Sequence, residues 1–143
     1  MLAYLLLASI ASTSPELQLN NLKREYSNHQ IYVEVFQANT PEGWDGTPIV
    51  QQQFSGQKDS HTLTTLEAGR YAIRLFVDTN SNGQLDRSNN GIPKEPFGSS
   101  GSKKMKRPPT FLESLVELSD RDSVIEIDLR APRVKKTQSS KRK

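Results

Sequence analysis

Apolar and polar residues alternate over several short segments, which is typical of β-strands with one buried face. In residues 70–77, Tyr71, Ile73, Leu75 and Val77 share one side of the predicted strand. At residues 111–118 helical and strand spacing both fit, and we favour a short strand after an irregular start. The same period of two predicts strands at residues 17–22, 30–37, 48–54, 61–66 and 123–130. The pattern predicts an all-β fold, an antiparallel sandwich of about seven strands.

Two segments break this periodicity. Residues 78–109 form one long irregular loop, and loops of that length inside a compact domain are usually functional or disordered. Residues 132–143 are rich in Lys, Arg, Ser and Gln, which predicts a disordered basic tail. The sandwich domain is therefore assigned to residues 12–131.

Residues 1–11 are almost entirely apolar, but they are too few to span a bilayer as a helix. Small residues at positions 9 and 11 favour the end of a secretory signal peptide. No Lys or Arg precedes the apolar run, which a truncated signal would explain; a buried N-terminal strand is the alternative. We expect a periplasmic or secreted protein.

Composition narrows the function classes. The chain has 143 residues, of which 34% are hydrophobic, and this excludes a large enzyme with a buried cofactor. It has no cysteine, which excludes disulfides, thiolate catalysis, zinc ribbons and iron–sulfur clusters. The net charge of +3 is unevenly distributed, because more than half of the 19 basic residues lie in two segments without acids. They are Lys103, Lys104, Lys106, Arg107, Arg133, Lys135, Lys136, Lys141, Arg142 and Lys143. This weakens a nucleic-acid interpretation, and no specific nucleic-acid motif is present.

Directly after the strand predicted at residues 70–77, side chains that carry oxygen atoms occur at alternate positions. They resemble the first part of a calcium loop, with glycine at the sixth position to permit a left-handed turn. Gln84 would contribute its backbone carbonyl, and Glu95 is the nearest additional carboxylate. The candidate Ca²⁺ ligands are Asp78, Asn80, Asn82, Gln84, Asp86 and Glu95.

A metal-free interpretation remains open. Asn82-Gly83 is a strong hairpin signal, and Asn and Asp side chains stabilise turns through bonds to their own backbone. The twelfth position of the loop is Asn89 and not a bidentate Glu, so an EF-hand is not expected.

Residues 69–98 carry a run that resembles a bacterial family of small secreted proteins, domain of unknown function 2141. The shared motifs are Gly69-Arg70-Tyr71-Ala72, the Asp78–Asp86 run, and Gly91-Ile92-Pro93 with Glu95-Pro96-Phe97-Gly98. The resemblance extends over residues 17–129. It implies a location in the cell envelope and a prealbumin-like or Cna-B-like, immunoglobulin-like sandwich, and it implies no reaction. The basic run before residue 108 departs from the family pattern.

These observations favour a non-enzymatic binding or structural module, whose partner is a cell-envelope component or a polyanion. The surface expected to contact it comprises Trp44, Phe97, Lys103, Lys104, Lys106 and Arg107. One alternative is an anionic-polymer or lipid-surface binder acting through the basic loop and tail. Another is a small hydrolase using Asp78, Asp86 and Glu95. A further alternative is a sugar-stacking surface formed by Tyr32, Phe36, Trp44, Phe54, Tyr71 and Phe76, although many strand aromatics simply fill a core.

Overall fold

A computed structural model describes residues 12–101, 107–119, 121 and 123–132. The predicted signal segment, the cations Lys103, Lys104 and Lys106, and nearly all of the predicted basic tail lie outside the described residues. The strands are β1 (Ser12–Thr13), β2 (Glu16–Asn20), β3 (Gln30–Gln37), β4 (Val50–Ser55), β5 (Ser60–Thr62), β6 (Leu66–Glu67), β7 (Gly69–Asp78), β8 (Phe97–Ser99), β9 (Leu115–Leu118) and β10 (Val124–Asp128). Short 3₁₀ turns lie at Arg24–Tyr26, Gly43–Asp45 and Leu112–Ser114.

The all-β prediction is confirmed, with ten strands in the described residues and not seven. The predicted strand at residues 61–66 is divided, because β5 belongs to one sheet and β6 to another. Between them the chain changes partners, and the N–H of Leu63 donates to the carbonyl of Pro15 (2.8 Å). The other additions are the two short strands β1 and β8, which lack a run long enough to show a period of two.

The strands form three sheets. The largest has the order β4-β3-β7-β8, with β9 also pairing to β7. A second sheet has the order β10-β2-β5, and β1 pairs with β6. All pairings between these strands are antiparallel except that of β10 with β2. A parallel pair needs a long connection, and these two strands come from opposite ends of the domain.

The core lies between the large sheet and the β10-β2-β5 sheet. The large sheet contributes alternate residues of β3 and β7, and the smaller sheet contributes alternate residues of β2 and β10. The members of these four strands in this core are Leu17, Leu19, Ile31, Val33, Val35, Tyr71, Ile73, Leu75, Val77, Ile125 and Ile127. The inward set predicted from residues 70–77 is therefore in the core. The other face of the large sheet remains outside this core, and its residues form the site described below.

Strand β8 divides the predicted loop at residues 78–109. Its central residue Gly98 has no side chain, and a Cβ there would lie 2.7 Å from the Asp128 carbonyl oxygen. The missing side chain lets β8 approach the end of β10 closely. The main chains of Phe97 and Arg130 exchange two hydrogen bonds there, of 3.1 and 2.8 Å. Phe97 is consequently held at a corner where both sheets meet.

No helix in the described part of the chain has both the length and the apolar character needed to cross a membrane.

Candidate functional site

The loop between β7 and β8 begins and ends at neighbouring points. Asp78 is the last residue of β7, and Phe97 opens β8 opposite Phe76. The N–H of Val77 also donates to the carbonyl of Pro96 (2.9 Å). Because β7 and β8 are paired, the loop leaves the sheet and returns to it at the same end. The conformation of the loop therefore determines which of its residues lie beside that end of the sheet.

Asp78 organises the first turn of this loop. Its side chain is only 2% exposed. One carboxylate oxygen accepts the N–H of Asn82 (3.2 Å) and the other accepts the N–H of Gly83 (2.8 Å). Ser81 and Gly83 have positive φ values of 60° and 74°. The left-handed turn that the glycine was predicted to permit is therefore present, and the carboxylate of Asp78 satisfies its N–H groups.

Asn80, Asn82 and Asp86 converge on one another. The Asn82 amide nitrogen donates to both carboxylate oxygens of Asp86, at 2.8 and 2.9 Å. The Asn80 amide nitrogen donates to the same carboxylate. The Asn82 amide oxygen accepts the N–H of Gln84 (3.0 Å). The alternate polar residues thus point toward a common centre, in which two amide groups face one carboxylate.

Glu95 forms hydrogen bonds with two separate parts of the loop. It is 2% exposed, and its two oxygens accept the main-chain N–H groups of Thr79 (3.0 Å) and Asp86 (3.2 Å). Within the described residues no buried side-chain nitrogen or oxygen lacks a hydrogen-bond partner. The carboxylate of Glu95 thereby joins the start of the loop to its middle.

These positions define what a cation would meet. Asp78, Asp86 and the side-chain oxygens of Asn80 and Asn82 are hard donors of the kind that Ca²⁺ prefers. In this structure the Asp78, Asn80 and Asn82 oxygens accept main-chain N–H groups, and the two amide nitrogens face Asp86. Glu95 is turned toward the main chain, and the side chain of Gln84 is exposed. Across the described ranges, no group of three or more His, Cys, Asp or Glu side chains is placed to hold a metal ion. Any Ca²⁺ ligation here would therefore rest on two carboxylates and on amide and carbonyl oxygens.

A groove of about 590 Å³ lies beside this loop, over the outer face of the large sheet. Strand register arranges its floor in rows. In one row Tyr32, Phe76 and Phe97 are opposite one another, and in the next Glu34, Arg74 and Ser99 are opposite one another. Gly83, Gln84, Leu85 and Arg87 line the side formed by the loop, and Pro108 and Pro109 line another.

The row of Glu34, Arg74 and Ser99, here called the polar row, contains an ion pair. Arg74 Nε donates to Glu34 Oε2 (2.5 Å), with the two side chains 31% and 25% exposed. Gln51 Nε2 donates to the other oxygen of Glu34 (3.3 Å). The Arg74 guanidinium also lies over the ring of Phe36, 4.9 Å from its centroid. The planar guanidinium and carboxylate are therefore fixed in place, and each remains partly open to the groove.

Trp44, predicted to contact a partner, forms part of the wall. Its ring is edge-on to Phe36 and Phe111, with centroid distances of 5.4 and 5.1 Å. The Arg74 guanidinium lies 5.3 Å from the Trp44 ring centroid. Trp44 and Phe97, which are far apart in the sequence, both line the groove. The structure thus brings these two predicted residues to one site.

Arg107, the described member of the predicted basic cluster, is engaged in a local ion pair. Its two terminal nitrogens donate to the Glu113 carboxylate at 2.8 and 2.7 Å. The hydrogen bond from Arg107, together with one from the N–H of Thr110, lowers the pKa of Glu113 to about 2. The same pairing raises the pKa of Arg107. The charge of Arg107 is therefore already partnered within its own segment.

Sequence reasoning did not identify the pair of Glu34 and Arg74 as part of the site. Glu34 and Arg74 lie on the outward sides of the strands predicted at residues 30–37 and 70–77. This outward position is the sequence signal that could have identified them. The registers of β3, β7 and β8 place them together, and register between distant strands is not encoded in a local pattern.

The fold and the groove define this chain as an all-β sandwich domain with a loop-walled groove on one sheet face. It belongs to the DUF2141 family, described as an uncharacterized protein conserved in bacteria, whose model matches residues 18–126. The resemblance noted from the motifs is thereby confirmed. No curated protein and no solved structure matches the chain.

Proposed function

We propose that this chain is a non-enzymatic binding module of the bacterial cell envelope, and that the groove on the outer face of the large sheet receives its ligand. The observation that carries the proposal is the groove itself, about 590 Å³ in volume and lined by half-buried aromatic rings beside the pair of Arg74 and Glu34. Ligand sites are commonly concave surfaces of about 300–1,000 Å³ with a few fixed polar groups among apolar ones.

The loop network supports a preformed site. Asp78 and Glu95 are buried and accept main-chain N–H groups from the loop, so the wall at Gly83–Arg87 is braced from beneath. Loops placed on a rigid scaffold often carry binding function. Because this loop is already ordered, less conformational entropy is lost when a ligand binds against it.

The same contacts favour binding over hydrolysis. The hydrolase alternative assigns acid and base roles to Asp78, Asp86 and Glu95. Two of these carboxylates are 2% exposed and directed at backbone N–H groups, and Asp86 faces two amides. A general acid or base must reach a substrate atom within hydrogen-bond distance. We therefore assign these residues to loop structure.

A fragment screen tests the groove. Small aromatic and polyhydroxy compounds would be added to ¹⁵N-labelled protein, and amide shifts would be mapped onto the sheet. We expect the shifts to cluster at Arg74–Phe76, Gly83–Arg87 and Phe97–Ser99. Shifts confined to other surfaces, or none at millimolar fragment, would contradict a ligand site in the groove.

Ca²⁺ is proposed as a stabiliser of the loop, held by Asp78, Asp86 and the side-chain oxygens of Asn80 and Asn82, with the Gln84 carbonyl. The donors are hard oxygens, and the two carboxylates are consistent with millimolar-class affinity. In a thermal melt, 10 mM CaCl₂ should raise Tm relative to EDTA, because a ligand of the folded state stabilises it. Asp86→Asn should abolish the rise, and MgCl₂ at equal ionic strength is the salt control. An unchanged Tm in CaCl₂ would leave the loop as a hydrogen-bonded turn.

Export is proposed from the apolar residues 1–11. Residues 1–20 fused to alkaline phosphatase, which is active only outside the cytoplasm, should give phosphatase activity in bacterial cells. Activity no higher than that of a fusion beginning at residue 12 would contradict the proposal.

A further inference from the structure

We propose that the ligand of the groove is an uncharged saccharide, whose C–H faces pack on Phe76 and Phe97 and whose hydroxyls bind Arg74 and Glu34. This inference rests on the proposed function and names the chemical class of the ligand. It is carried by the charge of the lining, the placement of the rings and the geometry of the polar row.

The described residues that line the groove have balanced formal charges. Two are acidic, Glu34 and Asp45, and two are basic, Arg74 and Arg87. Glu34 and Arg74 are paired with each other. An anionic ligand would meet the two carboxylates, and a cationic ligand would meet the two guanidinium groups. The described lining, which has no net formal charge, favours a ligand without net charge over a strongly anionic or cationic one.

Aromatic residues of neighbouring strands line one part of the groove. Tyr32 stacks on one side of the Phe76 ring, with a centroid distance of 5.3 Å and an interplanar angle of 8°. The opposite side of Phe76 is the side of β8, where Phe97 is its register partner. Both phenylalanines line the groove. A pyranose has a C–H face of similar size to such a ring, and contact between the two removes apolar surface from water.

The polar row lies one register step along the strands from these rings. Arg74 has several N–H donors in a planar fork, and Glu34 offers carboxylate lone pairs. Vicinal hydroxyls both donate and accept, so a guanidinium beside a carboxylate satisfies both roles. Because the two side chains already fix each other, little further ordering is required when hydroxyls bind.

The sheet face favours a saccharide over an extended peptide. A peptide binding as an added strand needs free main-chain groups at a sheet edge. The floor of this groove is formed by β7, which is paired on one side with β3 and on the other with β8 and β9. The short end strand β8 also lines the groove, and its Phe97 main chain is already bonded to that of Arg130. Recognition must therefore come from side chains, which here alternate between rings and hydroxyl-binding groups.

Trp44 supplies the measurement, since it is the single tryptophan of the chain and contacts Arg74. The full chain would be titrated with neutral hexasaccharides of glucose, xylose, mannose and N-acetylglucosamine while its fluorescence is recorded. Saturable change with at least one of them is expected. The methyl glycoside of the best sugar distinguishes recognition of a single unit from recognition of a glycan chain.

Two arginine variants provide the matched comparison. Arg74→Gln should weaken binding about tenfold or more, because a charge-assisted hydrogen bond is lost. Arg70→Gln is the control, since Arg70 lies on the same strand and the same outer face but does not line the groove. Phe97→Ala should also weaken binding, and circular dichroism with a melt of each variant verifies folding. If Arg74→Gln does not fold, Phe97→Ala and shift mapping on the wild type decide the test.

Several results would overturn the inference. These are no binding of any neutral hexasaccharide at 10 mM, equal binding by wild type and folded Arg74→Gln, or binding only of an oligogalacturonate or a proline decapeptide. The fragment screen separates this failure from that of the proposed function. Fragments in the groove without saccharide binding would overturn the ligand class alone, whereas fragments that avoid the groove would overturn both.

Discussion

The two faces of the large sheet are built from different kinds of side chain. The inner face of β3 and β7 carries aliphatic residues that are at most 2% exposed: Ile31, Val33, Val35, Ile73, Leu75 and Val77. The outer face of the same strands carries Tyr32, Glu34, Arg74 and Phe76, all half-buried, and the buried pair of Phe36 and Ala72. Burial of apolar area explains the inner set. A partly exposed ion pair contributes little to folding, so the proposed ligand site is our explanation for the polar residues of the outer set.

The largest expected effect comes from the inner face. Ile73→Ala should lower the free energy of unfolding by about 2–5 kcal/mol, because it removes buried methyl groups and leaves a cavity. Urea denaturation measures this. Leu112→Ala is the control, since Leu112 is 74% exposed, and it should change stability by no more than about 0.5 kcal/mol. A similar small change for Ile73→Ala would contradict the assignment of the inner face as the core.

The loop beside the outer face should give an intermediate effect. Asp78→Ala removes the acceptor of two loop N–H groups and should cost about 1–3 kcal/mol. Amide exchange at Asn82 and Gly83 should accelerate in this variant. Asp59→Ala, at an exposed carboxylate, is the control. Unaltered exchange at both amides would mean that Asp78 does not hold the turn.

The smallest effect concerns the segment bordering the groove, where Arg107 pairs with Glu113. The pKa of Glu113 is about 2, below its ordinary value of 4.5, so folding favours the charged form. The resulting stability is fully present above pH 4.5 and is lost as the pH falls through 2. A carbon-detected NMR titration of Glu113 should give a midpoint near 2, moving upward in Arg107→Gln. A wild-type midpoint near 4.5 would argue against the pair.

The inner face was predictable because its alternation is local, as in residues 70–77 and 30–37. The loop was also partly predictable, since Asn80, Asn82 and Asp86 lie close in sequence and converge, whereas the carboxylate of Asp78 accepts main-chain N–H groups. The groove was not predictable, because it depends on the register of β3, β7 and β8. Trp44 and Phe97 were selected individually, and only the fold brings them together with Arg74.

We infer that the row of Glu34, Arg74 and Ser99 on the outer face serves a ligand and not the fold. The double variant Glu34→Val with Arg74→Val tests it in one urea denaturation series. We expect a free energy of unfolding within about 1 kcal/mol of wild type, because exchanging a partly exposed ion pair for β-branched residues costs little. A loss of more than about 3 kcal/mol would identify the pair as structural and contradict the claim.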